Sequence, residues 1–209
     1  VKIAGRLYPD SRAVDGQPVF RHIPDCLTNE CASRAMRVRL EKIISGGQTG
    51  ADQGALDGAI ACGISYGGAI PAGRKTENGT LPLSYDMTEL ESARYNDRTE
   101  RNVIDGDGTL ILSHGPLTGG SALTERLALQ LGKPCLHIDL SSVPDYHAVF
   151  LVREFIFDKG IEILNVAGSR ASKDPNIYKK VFDIIKGVYW TDRIKGQDHN
   201  SDAPAPVGI

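Results

Sequence analysis

The chain has 209 residues, 41% of them hydrophobic and 24% charged, which is enough apolar material for one ordinary core with some length left over. Its 24 basic and 26 acidic residues leave a formal net charge of -2, which excludes a general attraction to nucleic-acid backbone or to anionic membranes. Any anion binding has to be local.

The cysteines, Cys26, Cys31, Cys62 and Cys135, form no CxxC pair and lack the density of a secreted disulfide scaffold, so they read as reduced thiols. Residues 1–30 scatter Arg6, Asp10, Arg12, Asp15 and Arg21 where a signal peptide needs an apolar run of about 7–15 residues. No later segment reaches the ~18 apolar residues of a membrane span. The expected location is the cytoplasm, with neither nucleic acid nor membrane as partner.

In chain order, residues 1–40 mix Gly5, Pro9, Gly16, Pro18 and Pro24 with charges and hold no steady period, so they read as a poorly specified extension. A short basic helix is drawn there from Ala32 to Leu40. A domain over residues 41–190 follows. Lys42 to Ser45 is an apolar strand, Gly46 to Gly50 a break, and Ala51 to Cys62 a helix with Ala51, Ala55, Leu56, Ala59 and Ile60 on one face and Gly63 as its stop. Residues Gly67 to Asp107 form a long irregular segment with one helix, Asp97 to Ile104. Thr109 to Leu112 is a strand, Gly115 to Gly120 a turn, and Ser121 to Leu131 a helix. Pro134 to Ile138 is a strand, Tyr146 to Asp158 a helix, and Glu162 to Val166 a strand. The last helix takes Asp174 as cap, Pro175 as first residue and Gly187 as stop. Residues 191–209 read as a disordered tail. Such β–α alternation implies an α/β, Rossmann-like fold, a mainly parallel sheet sandwiched by helices.

Three glycine turns carry the chemistry. Gly46-Gly47-Gln48-Thr49-Gly50 runs from a strand into a helix, where glycines admit a close ligand and free N–H groups attract an anion. It matches neither GxxxxGK[ST] nor GxGxxG. Leu117-Thr118-Gly119-Gly120-Ser121 has the same design, and Gly168-Ser169-Arg170 adds a guanidinium suited to phosphate. Each turn has a bland alternative, a tight connection that holds nothing. Arg74 stands in the long segment; Arg98 shares a helical face with Asn102, while Arg101 points elsewhere. A solvated, salt-bridged face is the competing interpretation for Arg98. Asp52 suits the dipole at its helix start. His22, His114, His137, His147 and His199 are scattered, so no metal site and no catalytic triad is assigned.

With Ser45-Gly46-Gly47-Gln48-Thr49-Gly50-Ala51-Asp52, Tyr95-Asn96-Asp97-Arg98-Thr99, Asp107 to Ile111, Thr118 to Thr124 and Asn165 to Arg170 occurring in that order, the chain resembles the molybdenum carrier proteins. These are a circularly permuted, YpsA-like branch of the Rossmann-like SLOG superfamily, and the likeness runs from about Glu41 to Gly187. The resemblance implies a homo-oligomer that carries molybdenum cofactor, a phosphorylated pterin (molybdopterin), and serves molybdoenzymes or cofactor-biosynthesis proteins. The residues it places at the ligand are Gly47, Gln48, Thr49, Gly50, Arg74, Arg98, Gly119, Gly120, Ser121 and Arg170, with none catalytic. The alternative is a nucleotide-derived-ligand protein or a nucleoside monophosphate phosphoribohydrolase, as in the lysine-decarboxylase-like relatives. Their PGGxGTxxE segment is replaced here by Thr118 to Glu125, so Glu125 stands a residue out of step, about 100 degrees round a helix.

Overall fold

The computed structural model describes residues 39–194 and two short strands before them, β1 (Tyr8–Pro9) and β2 (Phe20–Arg21). These strands pair antiparallel in one unit, Val1–Met36; the second unit is Arg37–Ile209. The helix expected over Ala32 to Leu40 lies outside the described residues except for Arg39 and Leu40, which are not helical.

The second unit opens with β3 (Lys42–Ile44), α1 (Ala51–Cys62) and β4 (Ser65–Gly67). In the long segment, β5 (Ala69–Ile70) pairs with β8 (Thr88–Glu89), and β6 (Lys75–Thr76) with β7 (Gly79–Thr80) to form a hairpin. Then come α2 (Tyr95–Asp105), β9 (Gly108–Ser113), α3 (Gly119–Gln130), β10 (Cys135–Asp139), α4 (Asp145–Lys159), β11 (Ile163–Gly168) and α5 (Ile177–Ile194). The central sheet has five parallel strands in the order β10-β9-β11-β3-β4.

That order carries information. Counting from β11 and wrapping round to β3, β4, β9 and β10 turns it into 3-2-1-4-5 read from the other edge, the order of a doubly wound Rossmann sheet. The strand that would come first in such a chain here comes last. The crevice where connections diverge therefore lies between β11 and β9, at their carboxyl ends.

Period-2 alternation sends Ile43, Leu110, Leu112, Leu164 and Val166 into one buried cluster with α1, α4 and α5, through Ala55, Ala59, Val152, Ile156, Val181 and Ile185. Helices α2 and α3 cover the opposite face. The α1–α5 approach is close because α1 offers glycine there: a Cβ on Gly54 would stand 2.5 Å from the Tyr178 carbonyl oxygen, and one on Gly58 3.0 Å from Ile185 Cβ. Ile60, assigned to the apolar face of α1, is exposed.

Two expected boundaries move. Helix α5 begins at Ile177, beyond Asp174-Pro175, and runs to Ile194 instead of stopping at Gly187. Gly187 is a packing glycine: a Cβ on it would meet Val149 Cγ2 of α4 at 2.7 Å. Residues 191–194, assigned to the tail, are thus helical; residues 195–209 lie outside the described ones.

Candidate ligand-binding cleft

A cleft of about 220 Å³ opens at the predicted crevice. Its floor is the end of β11, Asn165 to Ser169; Gly46, Gln48 and Asp52 form one wall with Arg98 of α2, and Thr118 to Ser121 with Lys173 the other.

The first glycine turn folds as expected, with Gly47 and Gly50 at φ 69 and 82, and part of its N–H set is bonded internally. Gln48 N donates to Asp52 Oδ2 (3.2 Å), Thr49 N to Gln48 Oε1 (3.0 Å), and Ala51 N to the Ser169 carbonyl (3.0 Å). These three N–H groups are thus spent on the turn's own side chains and on the third turn. Gly50 is required because a Cβ would stand 2.5 Å from the Ser169 oxygen, so this turn locks onto the third one.

Arg98 is the cation of that wall. Its Nη1 donates to Asp52 Oδ2 at 2.8 Å, and the two side chains keep only 13% and 8% of their exposure. The guanidinium lies across Gly46, where a Cβ would fall 1.2 Å from Nη1. Arg98 is therefore not on a solvated face, the competing interpretation of the sequence. Burial pushes the Asp52 carboxyl above its ordinary value, opposed by Arg98 and by the Gln48 N–H. Asn102, one turn along α2, spends its amide on the Ala69 backbone, accepting from the N–H at 2.7 Å and donating to the carbonyl at 3.1 Å. Arg101 pairs with Asp105 at the surface.

The second turn is the open one. The first turn of α3 has no side-chain cap, and a Cβ on Gly119 or Gly120 would meet nothing within 4 Å. Gly119 takes φ 55 and Gly120 does not take a positive φ. Ser121 Oγ donates to the Gly168 carbonyl (2.9 Å), fixing the helix end on β11. Opposite, Lys173 Nζ donates to Thr118 Oγ1 at the head of α3. A lysine facing the positive end of a helix opposes its dipole, and an anion between them reverses that sign. Arg170 lines the same cleft and is half exposed, its Nε 3.9 Å from Glu77 Oε2.

Glu77, at the tip of the β6–β7 hairpin, fastens the long segment to this region. Its carboxylate accepts from Thr49 Oγ1, from Ser172 N (3.0 Å) and from Ser172 Oγ (2.5 Å). Burial raises this carboxyl, but the Ser172 and Thr49 bonds and the Arg170 charge together hold it below the usual range.

Of the ten residues placed at the ligand, the structure brings Gln48, Arg98, Gly119, Gly120, Ser121 and Arg170 to the cleft. Gly47, Thr49 and Gly50 stand behind its wall as turn geometry. Arg74 lies apart: its guanidinium donates to the carbonyls of Leu81, Pro82 and Tyr85, pinning the loop after the hairpin. Lys173 carried no motif and was missed; Asp52, assigned to the helix dipole, is the carboxyl of the cleft. Glu125 points to β10 instead, where burial and its charge raise the Cys135 thiol to about 12. His114 bonds Asp174 at 2.6 Å, a structural tie between the β9 turn and the head of α5. Among the described residues no group of three or more His, Cys, Asp or Glu could hold a metal ion, and no helix is long and apolar enough to cross a membrane.

No curated protein matches the chain. The crystal structure of a protein named "putative molybdenum carrier protein", from Syntrophus aciditrophicus SB, is 51% identical, with a TM-score of 0.71 over 72% of this chain and 95% of that one. A model of the circularly permutated YpsA SLOG family matches residues 43–189, and the strand order explains the word permutated. The chain belongs to the circularly permutated YpsA SLOG family.

Proposed function

We propose that the cleft holds a small phosphorylated ligand, that this ligand is molybdenum cofactor, and that the protein carries it without covalent chemistry. The carrying observation is the open head of α3: uncapped, lined by Gly119 and Gly120, and faced by Lys173 with Arg170 close by. Such an arrangement, N–H donors and a helix dipole with two cations at a sheet crevice, supports phosphate as the group bound there. The name of the 51% identical neighbour supports molybdenum cofactor as the occupant. The cleft lining favours carriage over glycosidic-bond hydrolysis, since it includes Thr124 but not Glu125. A homo-oligomer, a cytoplasmic location and delivery to molybdoenzymes or cofactor-biosynthesis proteins belong to the same proposal. The exposed Tyr146, Phe150 and Phe157 of α4 are apolar surface available to a second copy.

The test is native mass spectrometry, with molybdenum and pterin analysis, on protein purified from a host that makes the cofactor. A co-purifying phosphorylated pterin, lost in Lys173→Met, is expected. Protein that emerges free of pterin, or that releases a free base from nucleoside monophosphates, contradicts the proposal.

A further inference from the structure

Residues 75–80 of the β6–β7 hairpin include no apolar side chain, and none of them is buried. The base of the hairpin is firm: Leu81 is buried, its N–H donates to the Arg74 carbonyl at 2.8 Å, and Arg74 is itself pinned by three carbonyls. The tip is held by hydrogen bonds. Among the described residues, those that tie 75–80 to the rest of the domain beyond this base all pass through Glu77. Its N–H donates to Gln48 Oε1 at 2.9 Å, and its carboxylate takes the bonds from Thr49 and Ser172. An element with so few buried contacts opens locally at a lower free energy than the core, so Glu77 sets whether it is closed.

What Glu77 grips belongs to the cleft. Gln48 lines one wall, and Ser172 stands between Arg170 and Lys173, which line it too. Those three residues share a turn closed by bonds from Lys173 N and Asp174 N to the Arg170 carbonyl, both 3.0 Å. Ala171 N of the same turn donates to Thr49 Oγ1 at 3.3 Å, the hydroxyl that donates to Glu77. One carboxylate therefore fixes the turn that presents both cations. Arg170 is not consumed in doing so, because its Nε stands 3.9 Å from Glu77 Oε2, beyond hydrogen-bond length. We propose that the β6–β7 hairpin is a strap, latched by Glu77 at the rim of the cleft, and that latch and bound anion support each other. The closed latch holds Arg170 and Lys173 toward the phosphate, and the phosphate, by holding those cations, keeps the strap closed.

The inference rests on the phosphate site proposed above and adds its regulation. Coupling of this kind is reciprocal: the factor by which phosphate favours the closed strap is the factor by which the closed strap favours phosphate. Its sign separates a latch from a mere neighbouring charge. A carboxylate beside Arg170 repels a bound anion, so removing its charge would by itself tighten phosphate binding, whereas losing the latch weakens it. The test is an NMR titration of the full chain with inorganic phosphate at constant ionic strength. Amide shifts of Gly119 to Ser121 report binding, and exchange rates of the 75–80 amides report the strap. In the unaltered protein the 75–80 amides should exchange more slowly as phosphate fills the site. Glu77→Gln should weaken phosphate by about 5-fold or more, and Ser172→Ala, which leaves the charge in place, should act in the same direction. Unchanged or tighter phosphate binding in Glu77→Gln overturns the proposal. If phosphate shifts the Gly119 to Ser121 amides of the unaltered protein while 75–80 exchange as before, the strap fails and the phosphate site stands, whether or not the variants fold. If neither segment responds, the phosphate site fails and the coupling falls with it.

Discussion

Arg98→Ala removes the 2.8 Å partner of Asp52 and leaves that carboxylate with the Gln48 N–H at 3.2 Å and the Ser45 side chain. A solvated arginine would cost almost nothing to lose. Here both side chains are nearly buried, and breaking one half of a buried pair costs about 3–5 kcal/mol. Protonation limits the loss: burial already pushes Asp52 up, and taking a proton at pH 7 costs about 1.4 kcal/mol for each unit by which its pKa lies below 7. The lower part of the range, roughly 3 kcal/mol, is expected, or about 6–12 °C in Tm for a domain of this size. The sign in pH follows. A carboxyl whose folded pKa lies above its unfolded value, near 3.9, weakens the fold fully above the folded pKa and ceases to do so as pH falls to the unfolded one. Losing Arg98 raises the folded pKa further, so the deficit should be largest near pH 7 and shrink toward pH 4. Urea denaturation of variant and parent at pH 7 and pH 5 measures it. Gly46→Ala should reproduce the loss by displacing the guanidinium, and the two changes should not add. A deficit under about 1 kcal/mol, or one that does not change with pH, would refute the buried-pair argument.

Other outcomes follow from packing and from the hairpin. Gly54→Ala sets a Cβ 2.5 Å from the Tyr178 carbonyl oxygen and should cost about 1–3 kcal/mol in urea denaturation by forcing α1 and α5 apart; a neutral result would mean the helices are not in close contact. Glu77→Ala should open the hairpin to trypsin at Lys75 at neutral pH. Because the folded pKa of Glu77 is lowered, its fastening is fully present above the ordinary glutamate value and should be lost as pH falls through the folded one, which a hydrogen-exchange series on Lys75–Thr80 would follow. Gly120→Val should leave Tm nearly unchanged, since the position has open space and no positive φ, while weakening phosphate-ester binding; a large fall in Tm would contradict that geometry.

The repeating strands and helices were legible because their side chains alternate or recur on one face, so β9, β11 and α1 fall where the pattern places them. Strand β4 was not, since Ser65–Gly67 is too short to show a period and gains its place in the sheet only by pairing with β3. Gly187 reads as a stop in sequence, whereas its reason is Val149 on another helix. The glycine turns stood out, but which of their N–H groups are free depends on partners that the motif alone does not show. Asp52, Gln48 and Ser169 take up the N–H groups of Gln48, Thr49 and Ala51 at the first turn, while the head of α3 has no side-chain cap. Arg74 and Lys173 are alike as basic loop residues in sequence. One is spent on three carbonyls, and the other reaches the head of α3; only the folded chain separates them.

The central claim is that the head of α3 holds the phosphate of the ligand. Titrating the protein with a phosphorylated pterin and with the same pterin lacking its phosphate tests it most directly. Loss of the phosphate should weaken binding by at least about 10-fold, because charge-assisted bonds to Lys173 and to the helix end are each worth about 1.5–3 kcal/mol. Equal affinity for the two forms would contradict the claim and put the ligand outside this cleft.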